Sequence, residues 1–454
     1  MIDATPVIAI FDVGKTNKKL FLFDEHYEIV YQTSVQFAEI TDEDGDNCED
    51  IKALRRWIFN SLNEVLALKQ YNIKAINFSA YGASLVYLDN EGHELTQVYS
   101  YLKPYPGRLK QNLHITHGDE KILAMQTASP ALGSLNSGWQ LYRLKYGQPG
   151  VYAQVSSALH LPQYLSYLLT GKAFSDMTSI GCHTALWDFD NNDYHHWVKA
   201  EGLTGKLAPV MPGNKTFSAE INGRHIQVGI GLHDSSAALI PYLISFKEPF
   251  LLLSTGTWNI SLNPFDQTPL TADELEHDVL KYIQYQGIPV KASRLFAGYE
   301  FEQQVKRIAA HFGRDEARYK HMEFDADVSA RLKGADTQAQ FSDRDLGAFA
   351  TDVEAYHQLM IDLVVHQKRS TAMVMNGTPV KQIFVDGGFS KNPVFMQLLA
   401  AAFPAIEVFA ASVAQATATG AALAIHQAWN SKPWPTDMIA LKHYPAKVDV
   451  KNTV

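Results

Sequence analysis

Four short stretches of this 454-residue chain carry residue types able to work on a phosphate and a hydroxyl. In Asp12-Val13-Gly14-Lys15-Thr16-Asn17, the N–H groups of a turn converge, and Lys15, Thr16 and Asn17 add donors beside them. Asp12 opens that stretch with hard oxygen ligands of the kind Mg²⁺ takes. Ser254-Thr255-Gly256-Thr257 offers a second donor-rich turn. In Asp386-Gly387-Gly388-Phe389-Ser390, glycines at a strand-to-helix turn let backbone come against a flat or charged ligand. The fourth stretch, Gly229 to Leu239 (GIGLHDSSAAL), places Asp234 beside His233 at a strand-to-helix switch. A carboxylate there can accept the proton of a bound hydroxyl or hold a metal ion. Each stretch also has a plainer reading: Asp234 as a helix cap, the others as ordinary turns.

Placing these residues requires strands that end at the turns. Val7 to Phe11 reads as an apolar strand and Lys19 to Asp24 as its hairpin partner. Gly14-Lys15-Thr16 matches the end of a P-loop, but that motif's earlier glycine would fall at Ala9, and β-type sequence follows where a helix should begin. Ile51 to Lys69 has helical spacing (Leu54, Trp57, Ile58, Leu62, Val65, Leu66) and Ile73 to Ser79 reads as a strand, which makes an α/β unit. Gly82 breaks that strand's exit, as a bulge or as a place of close ligand approach. Helices are expected over Leu135 to Tyr146 and over Val155 to Thr170, with Gly171 as the stop. The adjacent His195 and His196 point apart and are expected at the surface.

Lys247-Glu248-Pro249 interrupts apolar sequence and marks the domain boundary, giving domains 1–245 and 246–454. Directly after it the opening pattern recurs: Phe250 to Leu253, the Ser254–Thr257 turn, then Trp258 to Leu262. A hairpin at the start of each half points to a duplicated domain, with two turns gripping one phosphate chain across a cleft. Further on, helices are expected over Leu346 to Val374, Asn392 to Ala402 and Ala410 to Trp429, with a strand at Lys381 to Val385. The last of these helices, rich in Ala and Thr and carrying Gly420, can pack unusually close to a neighbour or a nucleotide.

Hydrophobic content of 46% and charged content of 19% describe a globular chain, and its length exceeds one ordinary core. A net charge of −9 argues against a nucleic-acid partner. Two cysteines, Cys48 and Cys182, exclude a disulfide framework and a multi-cysteine zinc site. No Gly-x-Ser-x-Gly elbow is present, which argues against a hydrolase. With no leader pattern and no apolar run of spanning length, the expectation is a cytoplasmic protein without a membrane partner; a homodimer is compatible with the sequence.

These features in this order resemble the FGGY carbohydrate kinases, of the actin-like, sugar kinase and heat-shock ATPase superfold. Asp12 to Lys19 is similar to the family's first phosphate motif, Ser254 to Trp258 to its second, and Asp386 to Asn392 to its adenosine motif. Asp234 stands where the family has its general base. His233-Asp234, Ser254-Thr-Gly-Thr-Trp258, Leu161-Pro-Gln-Tyr-Leu-Ser-Tyr167 and Leu169-Thr-Gly-Lys172 are similar to the rhamnulokinase and fuculokinase branch. The resemblance implies an α/β fold of two actin-like (ribonuclease H-like) domains, each a mixed sheet flanked by helices, with a cleft between them. It implies ATP and Mg²⁺, with Gly14, Lys15, Thr16, Asn17, Gly256, Thr257, Gly387, Gly388 and Asn392 meeting ATP, Gly82, Ala83 and His233 meeting the sugar, Asp12 and Asp234 the metal, and Asp234 as the catalytic base. The acceptor implied is a ketose, a deoxyketose such as L-rhamnulose or L-fuculose first, with a xylulose-like ketose or polyol as the alternative. A nucleotide-switched chaperone-like or actin-like ATPase is the rival class. Two segments depart from the branch: Tyr81-Gly82-Ala83-Ser84 replaces Trp-Gly-Val-Asp, and Tyr101-Leu-Lys-Pro-Tyr105 replaces an Arg/Asp-bearing segment. Both shape the sugar pocket.

Overall fold

The computed structural model describes residues 4–332, 340–413 and 415–446. Two seven-stranded mixed sheets organise it. In the first, the strand Thr5–Val13, apolar from Val7 to Phe11, is central: it pairs antiparallel with Lys18–Asp24, which pairs with Ile29–Val35, and on its other side it runs parallel to Tyr71–Ala80. Tyr71–Ala80 in turn lies parallel to Arg224–Gly229 and Leu232–His233.

The second sheet repeats this path. Phe250–Thr255 is central, antiparallel to Asn259–Asn263, which pairs with Pro289–Leu295, and parallel to Gln382–Gly387, which runs parallel to Glu407–Ser412. The shared order of a hairpin, a third strand, and two parallel strands on the far side is the duplicated α/β architecture expected from the paired Gly-Thr turns. It also settles the first turn as a hairpin rather than a P-loop, because β-pairing through Lys18–Asp24 leaves no helix to receive a phosphate at its N-terminus.

Parallel strands buried on both faces read as continuous apolar runs, and Val7 to Phe11 is fully buried. Ala9 and Phe11 face the helices Ile51–Leu66 and Leu161–Thr170, while Ile8 and Ile10 face a cluster with Ala237, Ile240, Ala418 and Ala421. That second layer is the helix pair Asp234–Ser245 and Ala416–Ala424. The Lys247–Pro249 break thus separates the strands of the two sheets, whereas the late helix Ala416–Ala424 returns to lie on the first. Asn77, fully buried, ties the layers: its Nδ2 donates to the carbonyl of Ala421 (2.8 Å) and its Oδ1 accepts from the N–H of Gly231 (3.2 Å).

Several expected helices are shorter than their apolar runs. Ser157–His160 is a strand paired with Leu85–Leu88, and the helix starts only at Leu161, where Pro162 fits a first turn whose N–H groups need no partner. Glu407–Ser412 is a sheet strand, so the Ala-rich helix occupies only Ala416–Ala424. The long helix begins at Asp352, capped by Thr351, after a 3₁₀ turn at Leu346–Ala348. His195 is buried rather than at the surface, because Trp197 inserts into the core beside it; His195 shares a hydrogen bond with Gln126 Oε1 (2.9 Å). His196 is exposed.

Candidate active site

All but Asn392 of the residues singled out for chemistry lie at or just beyond the carboxyl ends of strands in the two sheets or on the hairpin turns that follow them. Asp12 pairs with Ser79 near one strand's end, His233 with Ala80, and Thr255 with Gly387 in the other sheet. Loops leaving those ends enclose a cavity of about 330 Å³ between the two sheets. Tyr81, Gly82, Ala83, Tyr101 and Asp234 line it from the first half, and Ser254, Thr255, Gly256, Trp258 and Arg294 from the second. Of the residues selected from sequence, Gly82, Ala83, His233, Asp234 and Gly256 therefore meet in one space.

Asp234 opens the helix Asp234–Ser245, and its Oδ1 accepts from the N–H of Ser235 (2.6 Å) and the Ser235 hydroxyl (3.3 Å). The N-cap position is His233, which makes no side-chain capping bond, so Asp234 is the first residue of the helix and not its cap. Burial raises its carboxyl to about 6, despite those hydrogen bonds. A base in this range is ionised at neutral pH yet still binds a proton usefully. His233 Nε2 lies 3.1 Å from the same oxygen, and burial lowers this imidazole to about 4, so it is neutral. Its ring stands against Gly82: a Cβ there would lie 3.0 Å from His233 Cδ2, so the glycine leaves room for this imidazole. Ala83 has φ 58°, and its carbonyl accepts from Gln140 Nε2 (2.6 Å), which fixes this wall.

Asp12 is also raised to about 6, chiefly by burial and further by the charge of Asp234, while the Thr417 hydroxyl (3.0 Å) and Lys19 pull the other way. Two carboxylates that repel each other in a buried place fit a divalent cation, whose charge relieves both. Asp12 and Asp234 are the pair that could hold such an ion, though only Asp234 of the two lines the cavity. Among the described residues the one group of three acidic side chains close enough to share an ion is Asp42, Asp44 and Asp46, away from this pair. The Nζ of Lys103 already sits in it, paired with Asp42 and lying 2.8 Å from Asp44 and 3.3 Å from Asp46. Lys103 thus fixes the Tyr101–Tyr105 segment, whose Tyr101 lines the cavity.

The first turn stands at the cavity's rim. Gly14 N–H closes it on the carbonyl of Asn17 (2.9 Å), and Thr16 and Asn17 are exposed. Lys15 is paired with Glu39 (2.7 Å), its Nζ 5.9 Å from the ring centres of both Tyr81 and Tyr101. In the second half, the N–H of Gly256 binds the carbonyl of Trp258, and the carbonyl of Thr257 receives the N–H of Tyr299. Gly387 has φ 91°, and a Cβ on it would stand 1.9 Å from the carbonyl of Thr255, so the third turn lies directly against the second. Gly388 N–H donates to that same carbonyl and has open space where a Cβ would be. Asn392 is turned inward: it caps the helix Pro393–Ala402 and donates to Tyr356 (2.7 Å).

Three cavity residues escaped sequence reasoning. His183 leaves no periodicity in the loop after Ile180, Arg294 sits on a strand as one charged residue among many, and Tyr282 looks like any core aromatic. No spacing signal could have found them.

This is a two-lobed fold of the actin-like kind with an acid at the floor of its cleft. The N-terminal domain of the FGGY family of carbohydrate kinases matches residues 7–240, and the C-terminal domain of the family matches residues 247–433. The chain belongs to the FGGY family of carbohydrate kinases. It is 29% identical over 283 residues to the rhamnulokinase of Yersinia pestis (strain Pestoides F), covering 58% of this chain and 55% of that one. It is 25% identical over 266 residues to the rhamnulokinase of Halalkalibacterium halodurans, covering 55% and 52%. The chain spans about half the length of the curated relatives it matches. Among solved structures, a carbohydrate kinase from Novosphingobium aromaticivorans superposes with TM-score 0.80 at 23% identity over 98% of this chain and 97% of that one. A ligand-bound xylulose kinase from Lactobacillus acidophilus gives 0.77 at 17% identity over 97% and 93%. Both share the fold. Among the described residues no helix is long and apolar enough to cross a membrane.

Proposed function

We propose that the protein is an ATP-dependent sugar kinase that phosphorylates a hydroxyl of a ketose, with the deoxyketoses L-rhamnulose and L-fuculose as the first acceptors to try. The observation that carries this reading is Asp234: a carboxyl raised to about 6 by burial, on the floor of a cavity walled by both lobes. The sugar hydroxyl attacks the γ-phosphorus and its proton passes to Asp234 Oδ2, the oxygen not engaged by Ser235. The bond to the β–γ bridging oxygen breaks and ADP leaves. Phosphoryl transfer has a loose transition state, so alignment and charge stabilisation are the protein's main contribution. The N–H groups of Gly14, Gly256 and Gly388 are engaged within their own turns, so the donors offered to phosphate are the exposed Thr16, Asn17 and Thr257 and, on leaving Glu39, Lys15. A bound Mg²⁺ would neutralise phosphate charge between Asp12 and Asp234.

A xylulose-like ketose or polyol is the second reading, favoured by Tyr81, Ala83 and Tyr101, which reshape the wall where the segments depart from the rhamnulokinase branch. ADP release with a panel of ketoses and polyols, L-rhamnulose, L-fuculose and D-xylulose first, tests both. ATP consumption indifferent to every sugar would instead favour a nucleotide-switched ATPase.

A further inference from the structure

His183 has a backbone and a ring that both point to a role in the cavity. Its φ is 39°, a left-handed conformation unusual for a non-glycine residue, and it lines the cavity beside Leu135. Such conformations persist where the surroundings over-determine them, often at ligand sites. Here the side-chain amide of Asn136 donates to the carbonyl of His183 (2.8 Å), and the N–H of Gly138 to that of Thr184 (2.9 Å). The ring is equally fixed. Nδ1 lies 3.0 Å from the carbonyl of Leu135, which can only accept, so Nδ1 carries the proton and Nε2 a lone pair. Nε2 has no protein partner among the described residues. Burial and the charge of Arg294 push the imidazole down to about 3, so it stays neutral. Tyr282 packs edge-on to it (ring centres 6.2 Å apart) and holds the ring in place.

We infer that His183 is a specificity-determining residue whose Nε2 accepts a hydrogen bond from a substrate hydroxyl other than the one phosphorylated. The inference rests on the kinase reading and narrows it. A lone pair in a walled cavity is satisfied by a hydroxyl, finds no partner in a methyl, and repels a carboxylate or phosphate oxygen. The acceptor is thus a neutral polyhydroxy sugar bearing a hydroxyl at this position, in preference to its deoxy or acidic counterparts.

The test takes the sugar that the wild type phosphorylates best and its mono-deoxy analogues, assayed with wild type, His183→Phe and His183→Asn. One analogue is expected to lose about 10–100-fold in kcat/KM with the wild type. His183→Phe lowers kcat/KM for the parent sugar by a similar factor, mostly through KM, and leaves that one analogue unaffected. His183→Asn recovers part of the loss, since its amide oxygen accepts and asparagine tolerates positive φ. Equal losses for parent and every analogue would mean a merely structural residue and overturn the inference. A wild type that discriminates against no analogue overturns it whether or not His183→Phe folds. If sugars are phosphorylated without this pattern, the kinase reading stands and His183 alone is misassigned; if no sugar is phosphorylated, both fall.

Discussion

The carbonyl oxygen of Ala237 stands 1.9 Å from where a Cβ on Gly420 would be. That contact joins the helix opened by Asp234 to the helix that returns from the second half of the chain to lie on the first sheet. Gly420→Ala forces the helices apart and is expected to cost about 1–3 kcal/mol or more. Because Ala237 lies one turn from Asp234, kcat falls as well. Denaturant melts and steady-state rates check both; unchanged stability would show that the helices separate freely.

Asp234→Asn removes the proton acceptor but keeps the shape of the cavity. Turnover is expected to fall by about 10²–10⁴-fold, the range a positioned base contributes. ATP affinity by calorimetry stays within a few-fold, since the donors assigned to phosphate lie on other turns. A variant that kept near-normal turnover would remove Asp234 as the base.

Much of this site could be read from residue types. Glycine next to Lys15-Thr16 and next to Thr257, each between apolar strands, was enough to expect two facing hairpins, and Gly420 was enough to expect close approach by a neighbour or a nucleotide, of which the structure shows the helix bearing Ala237. Strand ends concentrate the chemistry, so residues beside turn signals were found. His183 and Arg294 were not, because they reach the cavity from a loop and a strand whose placement depends on tertiary pairing. The same limit explains the Ser157–His160 strand: its apolar sequence suits a helix, and only pairing with Leu85–Leu88 decides otherwise. His195 was misplaced because adjacency says which way two side chains diverge, not which of them a neighbouring tryptophan carries inward.

Lys103→Met leaves Asp42, Asp44 and Asp46 facing one another without a cation. Asp42 is wholly buried, so the strap carrying Tyr101 loosens, and a loss on the order of 2 kcal/mol is expected, below the figure for a fully buried pair because Asp44 and Asp46 reach solvent. KM for the sugar rises more than KM for ATP, because Tyr101 lines the sugar side. A second change, Asp42→Asn, restores part of the stability; failure of that rescue would mean that Lys103 acts through something other than charge.

Asp12 and Asp234 both bind protons more tightly in the folded protein, near 6 against 3.8 in free chain. With Asp234 as the proposed base, its ionised form is the active one, so kcat/KM is expected to be flat above about pH 7 and to fall about tenfold per pH unit below 6, more steeply where Asp12 must also be ionised to hold the proposed Mg²⁺. Stability runs the other way. A group whose value is raised on folding stabilises the fold fully below pH 4, and that contribution is lost as pH rises through 6. At pH 8 the metal-free protein therefore carries two strained carboxylates, and Asp234→Asn should be more stable than wild type by an amount on the order of 1 kcal/mol, discounted for the partial exposure of the carboxyl. Near pH 4 the difference vanishes. Mg²⁺ added at pH 8 narrows the gap by stabilising the wild type more than the variant. Thermal melts of the two proteins at pH 4 and pH 8, with and without Mg²⁺, check each step; a variant gain independent of pH would show that Asp234 is not held above its ordinary value.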